Sequence, residues 1–318
     1  MDRRAFLVGL AGLTAPVVAR AQQGPGAFAR ANANIVGVIS GGLDGTYTRF
    51  AADLAAVLDE VDGLRILPII GKGSFQNLSD LLYVRGVDVA IVQSDVLAAA
   101  AQQNAFPGIT QQVQYIAKLY NEEVHVFARP GVDRLSDLAG KLVSMDNRGS
   151  GTAMTATLLF SRLGIAVQPV YDATVDATEK LRRGDIAAVV RITGKPARFT
   201  TPLPEGTRLL AVPLSESLLE TYLPANFTSS DYPALVPPGE TVETVAVGAV
   251  LAAYNHQNPD RRERLIRFSR ALSLKFDFFM QPPRHPKWRD VSLTATVPGW
   301  TRFGTQRPIP QTQQPRRS

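Results

Sequence analysis

Cysteine is absent from the 318 residues, and histidine and tryptophan are scarce, with three and two copies. Without cysteine there is no disulfide framework, no cysteine-ligated metal site and no thiol nucleophile. His125, His256 and His285 match no zinc-ligand spacing. No basic stripe interleaved with aromatics supports nucleic-acid binding. A nucleotide-binding loop is also disfavoured, because Gly71-Lys72-Gly73-Ser74 lacks the four-residue spacer and the Gly-Lys-Ser/Thr order. Apolar residues at 45% and charged residues at 19% fit a globular chain rather than a multi-span membrane protein.

The N-terminus, MDRRAFLVGLAGLTAPVVARAQQ, has a basic start, an apolar run from Ala5 to Ala19 and a small-x-small pattern at Ala19-Arg20-Ala21. The run is shorter than the about 20 residues of a spanning helix and contains Pro16. It reads as an export signal over 1–21, cleaved after Ala21, which directs the chain to the periplasm. Arg3-Arg4 ahead of Ala5-Phe6-Leu7 resembles a twin-arginine signal, with ordinary Sec export as the alternative. Loss of this segment lowers the formal charge of +6 to about +4, a mildly basic surface.

A polar linker, 22–34, precedes alternating strands and helices. NIVGVIS reads as a buried strand, and from Tyr47 apolar residues at 47, 50, 51, 54, 55 and 58 trace a helical stripe that Asp44 or Thr46 could cap. LRILPII is the next strand. A helix N-capped by Ser74 and stopped by Gly86 leads to the strand VDVAIVQ. The plan repeats through VHVFAR, KLVSM, a glycine-rich turn opening a helix apolar on every face, VQPVYD, and a helix–glycine–strand unit ending in AAVVRITG. Such alternation implies a largely parallel sheet. LLYVRGVDVAIVQSD and TEKLRRGDIAAVVRITG share one plan, which two lobes of common design would produce and ordinary helix and strand punctuation would also produce. YPALVPPGETVETVAVGAVLAAYN carries a valine-rich strand that could return to the first lobe, and a basic amphipathic helix starts at Pro259. The predicted divisions are lobe I over 35–124, an inserted lobe II over 125–243, a return to lobe I with C-terminal helices over 244–300, and a loose basic tail over 301–318.

Three loops would gather at helix starts: Ser40 to Thr46, Gly71 to Ser74, and Arg148 to Thr152. Ligands of open α/β sheets bind at such turns, beyond the carboxyl ends of strands. Unpaired N–H groups, hydroxyls and helix dipoles there suit a small anion, especially a carboxylate. Lys72 would attract the anion or stay a solvated loop charge. Arg191 would grip a carboxylate in a bidentate pair or pair with an Asp or Glu. Asp95 would hold an ammonium group or, more ordinarily, cap a helix. Tyr47 would wall the pocket or begin the core stripe. Glu122 and Glu123 would face opposite sides of a strand and not share a site, and His125, among apolar neighbours, reads as structural. No catalytic set assembles.

Taken in order, SGGLDGTYTRFAADLAAVL, GKGSFQNLSDLLYVRGVDVAIVQSD, YIAKLYNEEVHVFAR, DLAGKLVSM with GSGTAMTATLLF, and GDIAAVVRITGKP resemble the TAXI-type solute-binding proteins of TRAP transporters, over roughly Ile35 to Phe199. The resemblance implies an α/β type II periplasmic-binding-protein fold, two α/β lobes with a ligand cleft between them. It implies no catalysis and no cofactor. The expected partners are a small organic anion, such as a dicarboxylate, keto acid or acidic amino acid, and the TRAP membrane subunits; the mature chain would be a monomer not embedded in the membrane. Carried over residue by residue, the pocket would involve Gly42, Thr46, Tyr47, Ser74, Gln93, Ser94, Ser150, Gly151 and Thr152, with Arg191 added from the reading above. Leu43 and Asp44 here split the Gly-Gly-Thr-Tyr-Tyr-like stretch of that family, and Thr48 follows Tyr47. The alternatives are a receptor for an ABC importer or a sensor with a sulfonate or pyrimidine-like ligand, and an enzyme on the same scaffold.

Overall fold

The computed structural model describes residue 32 and residues 34–43 and 45–304. The predicted export signal, nearly all of the linker, Asp44 and the tail from residue 305 lie outside the described residues. Among the described residues no helix is long and apolar enough to cross a membrane.

The first strand–helix series is β1 (Ile35–Ile39), α1 (Thr46–Leu58), β2 (Arg65–Ile69), α2 (Ser74–Tyr83), β3 (Val89–Gln93) and α3 (Ser94–Gln102). After the long β4 (Val113–Ala128) comes a second series: β5 (Leu142–Ser144), α4 (Gly151–Arg162), β6 (Gln168–Val170), α5 (Thr174–Arg183) and β7 (Ala188–Thr193). The chain continues through β8 (Arg208–Leu209), β9 (Leu223–Thr228), β10 (Thr241–Tyr254), α6 (Pro259–Leu274) and β11 (Thr301–Arg302).

One curled sheet carries both series, in the order β2-β1-β3-β10-β4-β7-β5-β6. Strands β2-β1-β3 and β6-β5-β7 are parallel sets. β10 runs antiparallel to β3 and β4, and β4 antiparallel to β7, so the sheet is mixed and not largely parallel as predicted. β3 and β7 are buried at every residue, as central strands with helices on both faces should be. The two outer strands each carry a proline, Pro68 and Pro169, tolerated at an edge where its missing N–H breaks no ladder bond. The two similar stretches noted in the sequence occupy equivalent places: each supplies the third strand of its parallel set with the helix before it.

β4 spans 16 residues, roughly 50 Å of extended chain, and passes through both lobes. Ile116, Leu119 and Tyr120 pack in the first core, and Val124 and Val126 in the second. β10 does the same in reverse, with Val245 and Val247 in the second core and Ala249 and Leu251 in the first. The return crossing therefore falls near Gly248, later than the predicted 244. α4 exposes Thr157, Ser161 and Arg162, so it is amphipathic and not apolar on every face.

The C-terminal segment completes lobe I. Asn258 caps α6 by accepting from the Arg261 N–H at 3.0 Å, and Leu265, Phe268 and Leu272 face the core. Trp288 stacks between Phe50 and Phe279, with ring centroids 4.3 and 4.1 Å away. Its indole N–H donates to Asp53 at 2.9 Å. The tail starts later than predicted: Thr301 and Arg302 pair with β4, and the Phe303 N–H donates to the Tyr115 carbonyl.

Candidate functional site

Four helix starts converge on one cavity of about 300 Å³ between the lobes. Its walls include Gly42, Thr46 and Tyr47 at the start of α1 and in the loop before it, Lys72, Gly73 and Ser74 at that of α2, Ser150 to Thr152 at that of α4, and Ala173 to Val175 at that of α5. No side chain caps α1, α2 or α5. Neither Thr46 nor Ser74 is an N-cap, since the cap positions are Gly45 and Gly73. Only Ser150 caps, accepting from the Ala153 N–H at 3.1 Å. The first turns of α1, α2 and α4 contain no acidic residue. Those ends therefore keep the partial positive charge that a first-turn carboxylate would offset.

Thr48, the residue that departs from the related pattern, organises the first loop. Its hydroxyl lies 3.0 and 2.8 Å from the Gly41 and Gly42 carbonyls, and the Gly45 N–H closes a turn onto Gly42. Freed from capping, the Ser74 hydroxyl accepts from the Gln93 N–H at 3.0 Å and contacts the Gln93 side chain at 3.3 Å. Asp95 is no cap either. Its Oδ2 accepts from Thr155 at 2.8 Å and Tyr222 at 3.1 Å, both from lobe II, and burial raises its pKa.

Glu122 closes the cavity floor. The Tyr47 hydroxyl donates to its Oε2 at 2.6 Å and the Tyr120 hydroxyl to its Oε1 at 3.3 Å. Burial, offset in part by the Tyr47 bond and reinforced by the Glu123 charge, lifts its pKa to about 8. Asp146, also on the wall, is raised by burial too. Glu123 points the other way, accepting from the Lys195 N–H at 2.8 Å and the Lys287 ammonium at 2.7 Å, as strand alternation requires. His125 is buried against Phe227 and Phe127, and burial lowers its pKa to about 3, so it is a neutral core residue.

The lobes touch directly. The Thr46 and Thr193 hydroxyls lie 3.2 Å apart, and the Gln76 N–H of α2 donates to the Gly149 carbonyl at 3.0 Å. Gly73, at φ 105°, sits against Ser150 and Gly151. Thr152 supports lobe II internally by accepting from the Ile192 N–H at 3.2 Å.

Of the residues nominated from the sequence, Gly42, Thr46, Tyr47, Ser74, Gln93, Ser150, Gly151, Thr152 and Arg191 all line this cavity, and Lys72 stands exposed at its rim. Tyr47 is both pocket wall and core. Arg191 stacks over Phe199 and donates to the Arg198 carbonyl at 3.0 Å. Ser94 is not brought in; it starts α3 beside Gly248, and its carbonyl accepts from the Trp300 indole at 3.1 Å. Sequence reasoning missed Glu122, Asp146, Asn147, Thr193 and the start of α5. Alternation placed Glu122 opposite Glu123 but not which of them faced the cleft. Among the described residues no group of three or more acidic or histidine side chains is placed to hold a metal.

A family model for the NMT1-like family matches residues 38–268, more than half of the chain, and the protein belongs to that family. Among solved structures, it is similar to the periplasmic binding protein BugD, at 13% identity, over 81% of this chain and 87% of that one, with a TM-score of 0.51. It is also similar to a periplasmic transporter, at 13% identity over 78% and 83%, with a TM-score of 0.50. The BvgS periplasmic domain of B. pertussis aligns at 16% identity and a TM-score of 0.46; 78% of this chain covers 42% of that longer one. The fold is that of the two-lobed periplasmic binding proteins.

Proposed function

We propose that this protein is a periplasmic solute receptor, without catalytic activity, that closes its two lobes on a small organic anion. The convergence of four helix starts, three of them without a side-chain cap, on one interlobe cavity carries this reading, because helix N-termini and hydroxyls bind anions without reacting with them. The raised pKa of Glu122 supports it: near neutral pH that carboxyl is largely uncharged and does not repel an anion. Lys72 and Arg191 add positive charge on opposite lobes. Candidate ligands are dicarboxylates, keto acids and acidic amino acids. The sequence resemblance supports delivery to a TRAP-type membrane transporter and action as a monomer, and the basic, apolar and small-x-small pattern of residues 1–21 supports export by a cleaved leader.

A thermal-shift screen of residues 22–318 against dicarboxylates, keto acids, amino acids and sulfonates tests the receptor reading. A ligand at about 100 times its Kd stabilises the native state by about 2.7 kcal/mol, a clear rise in Tm. Response to sulfonates alone would reassign the ligand class, and steady turnover of any ligand would replace the receptor with an enzyme. Ligand-dependent association with TRAP membrane subunits in detergent tests the partner.

A further inference from the structure

We propose that the receptor binds its anion with Glu122 in the protonated form, the neutral carboxyl donating a hydrogen bond to the ligand from the cavity floor. This inference rests on the anion-receptor reading and specifies how that site is regulated.

Burial without a cation favours a proton on Glu122 and outweighs the two phenol hydrogen bonds, which favour its charged form. The side chain is buried at 3% exposure and still lines the cavity. Its two oxygens meet the phenol hydroxyls of Tyr47, on α1, and Tyr120, on β4. No ion pair reaches it among the described residues, whereas its strand neighbour Glu123 has Lys287 at 2.7 Å. A buried carboxylate without a cation is costly, and neutralisation is the usual way out. The charged groups nearby do not change this. Glu123 and, from α3, Asp95 both act to raise its proton affinity. Of the cations, Lys287 is bound to Glu123 and Asp290, Arg191 of β7 is turned onto Arg198 and Phe199, and Lys72 is exposed at the rim. From α2 the site receives the Ser74 hydroxyl, 3.3 Å from the Tyr47 hydroxyl. Asp146, the remaining acid on the wall, is itself pushed toward its neutral form by burial.

The proton on Glu122 holds to about pH 8 in the empty protein. An anion placed against the carboxyl would make ionisation harder still. Coupling is reciprocal, so the proton must strengthen anion binding as much as the anion strengthens proton binding. Bound with the proton, the ligand carboxylate gains a charge-assisted hydrogen bond from an O–H group; without it, two negative charges share a buried cavity. An ammonium at the same position would reverse the sign, drawing the proton off.

The test uses 2-oxoglutarate, whose carboxylates stay ionised across the pH range used. Infrared difference spectra, wild type minus Glu122→Gln, should show the carbonyl stretch of a protonated carboxyl at neutral pH that fades above about pH 8. Calorimetric titration in two buffers of different protonation enthalpy should show almost no proton uptake near pH 6.5 and uptake approaching about one proton near pH 9. Affinity should fall by as much as about tenfold per pH unit above pH 8. Glu122→Gln should bind with a Kd that has no such slope, whatever its absolute value, and Tyr47→Phe should shift the onset of the slope. Binding that is independent of pH, or that releases a proton, overturns this inference alone. Absence of 2-oxoglutarate binding at every pH, with the carboxyl band intact, overturns the keto-acid ligand class and this inference with it, while the anion-receptor reading falls only if the thermal-shift screen is also flat.

Discussion

A β-carbon on Gly151 would stand 1.9 Å from Oε1 of Gln93 and 2.6 Å from Oγ of Ser74. The first turn of a lobe II helix is thus seated directly on the end of a lobe I strand. Gln93 cannot swing aside freely, because Ser74 and Thr155 hold its side-chain oxygen at 3.3 and 3.4 Å. Gly151→Ala should therefore oppose closure rather than folding. Overpacking costs about 1–3 kcal/mol, so anion affinity should fall about 5- to 150-fold. Small-angle scattering should show reduced compaction on ligand addition, with little change in Tm of the empty protein. Unchanged affinity would mean that the bound state does not use this contact.

The Thr46–Thr193 contact is a second interlobe bond, and it lies on the cavity wall. Neutral hydroxyl pairs contribute about 0.5–1.5 kcal/mol net, so Thr46→Ala and Thr193→Val should each weaken binding roughly two- to twelvefold. The double variant should lose less than the sum, since the second change removes a bond that is already gone. Titration calorimetry on the four proteins measures that coupling. Full additivity would show that the two hydroxyls act on the ligand separately and not through each other.

These contacts also mark how far the sequence could be read. β1, β3 and β7 were legible because central strands buried on both faces need unbroken apolar runs, and glycine-rich turns marked where three of the four cavity-lining helices begin. β4 was not legible as one element: Asn121-Glu122-Glu123 interrupts its apolar run where the strand leaves one core, lines the cleft and enters the next. The direction of β10 was hidden too, because antiparallel insertion after a long excursion leaves no local mark. Ser74 and Asp95 have the residue types of helix caps, yet tertiary partners, Gln93 for one and Thr155 with Tyr222 for the other, claim their side chains. The fourth helix was legible, but not the place of its start, Thr174, on the cavity wall, because its cap position is an alanine rather than a glycine-rich turn.

Trp288 shows that the C-terminal segment is part of lobe I and not an appendage. It is fully buried, lies between two aromatic rings and donates to Asp53, which also accepts from the His285 N–H at 2.8 Å. Trp288→Ala should cost about 3–5 kcal/mol in urea unfolding, with Asp53 left short of a donor. Trp288→Phe keeps most of the stacking and should cost less. An alanine variant within about 0.5 kcal/mol of wild type would show that the segment is dispensable to the core.

Glu122 and His125, three residues apart on β4, bias stability in opposite directions with pH. Folding raises the Glu122 pKa from 4.5 to about 8. The folded state holds that proton more tightly, so the contribution is full below pH 4.5 and is lost as pH rises through 8. Folding lowers the His125 pKa from 6.5 to about 3. There the unfolded chain binds the proton better, so the contribution is full above pH 6.5 and is lost as pH falls toward 3. Each slope is at most about 1.4 kcal/mol per pH unit. Between pH 4.5 and 6.5 the two cancel. From 6.5 to 8 the Glu122 slope stands alone, and from 4.5 down to 3 the His125 slope does. Differences from wild type isolate each group from the other ionisable residues. In Tm measured against pH, Glu122→Gln should remove part of the decline above pH 6.5, and His125→Phe part of the decline below 4.5. Parallel profiles for wild type and Glu122→Gln would mean that this carboxyl is already ionised in the native protein, and the cavity floor would then carry a negative charge.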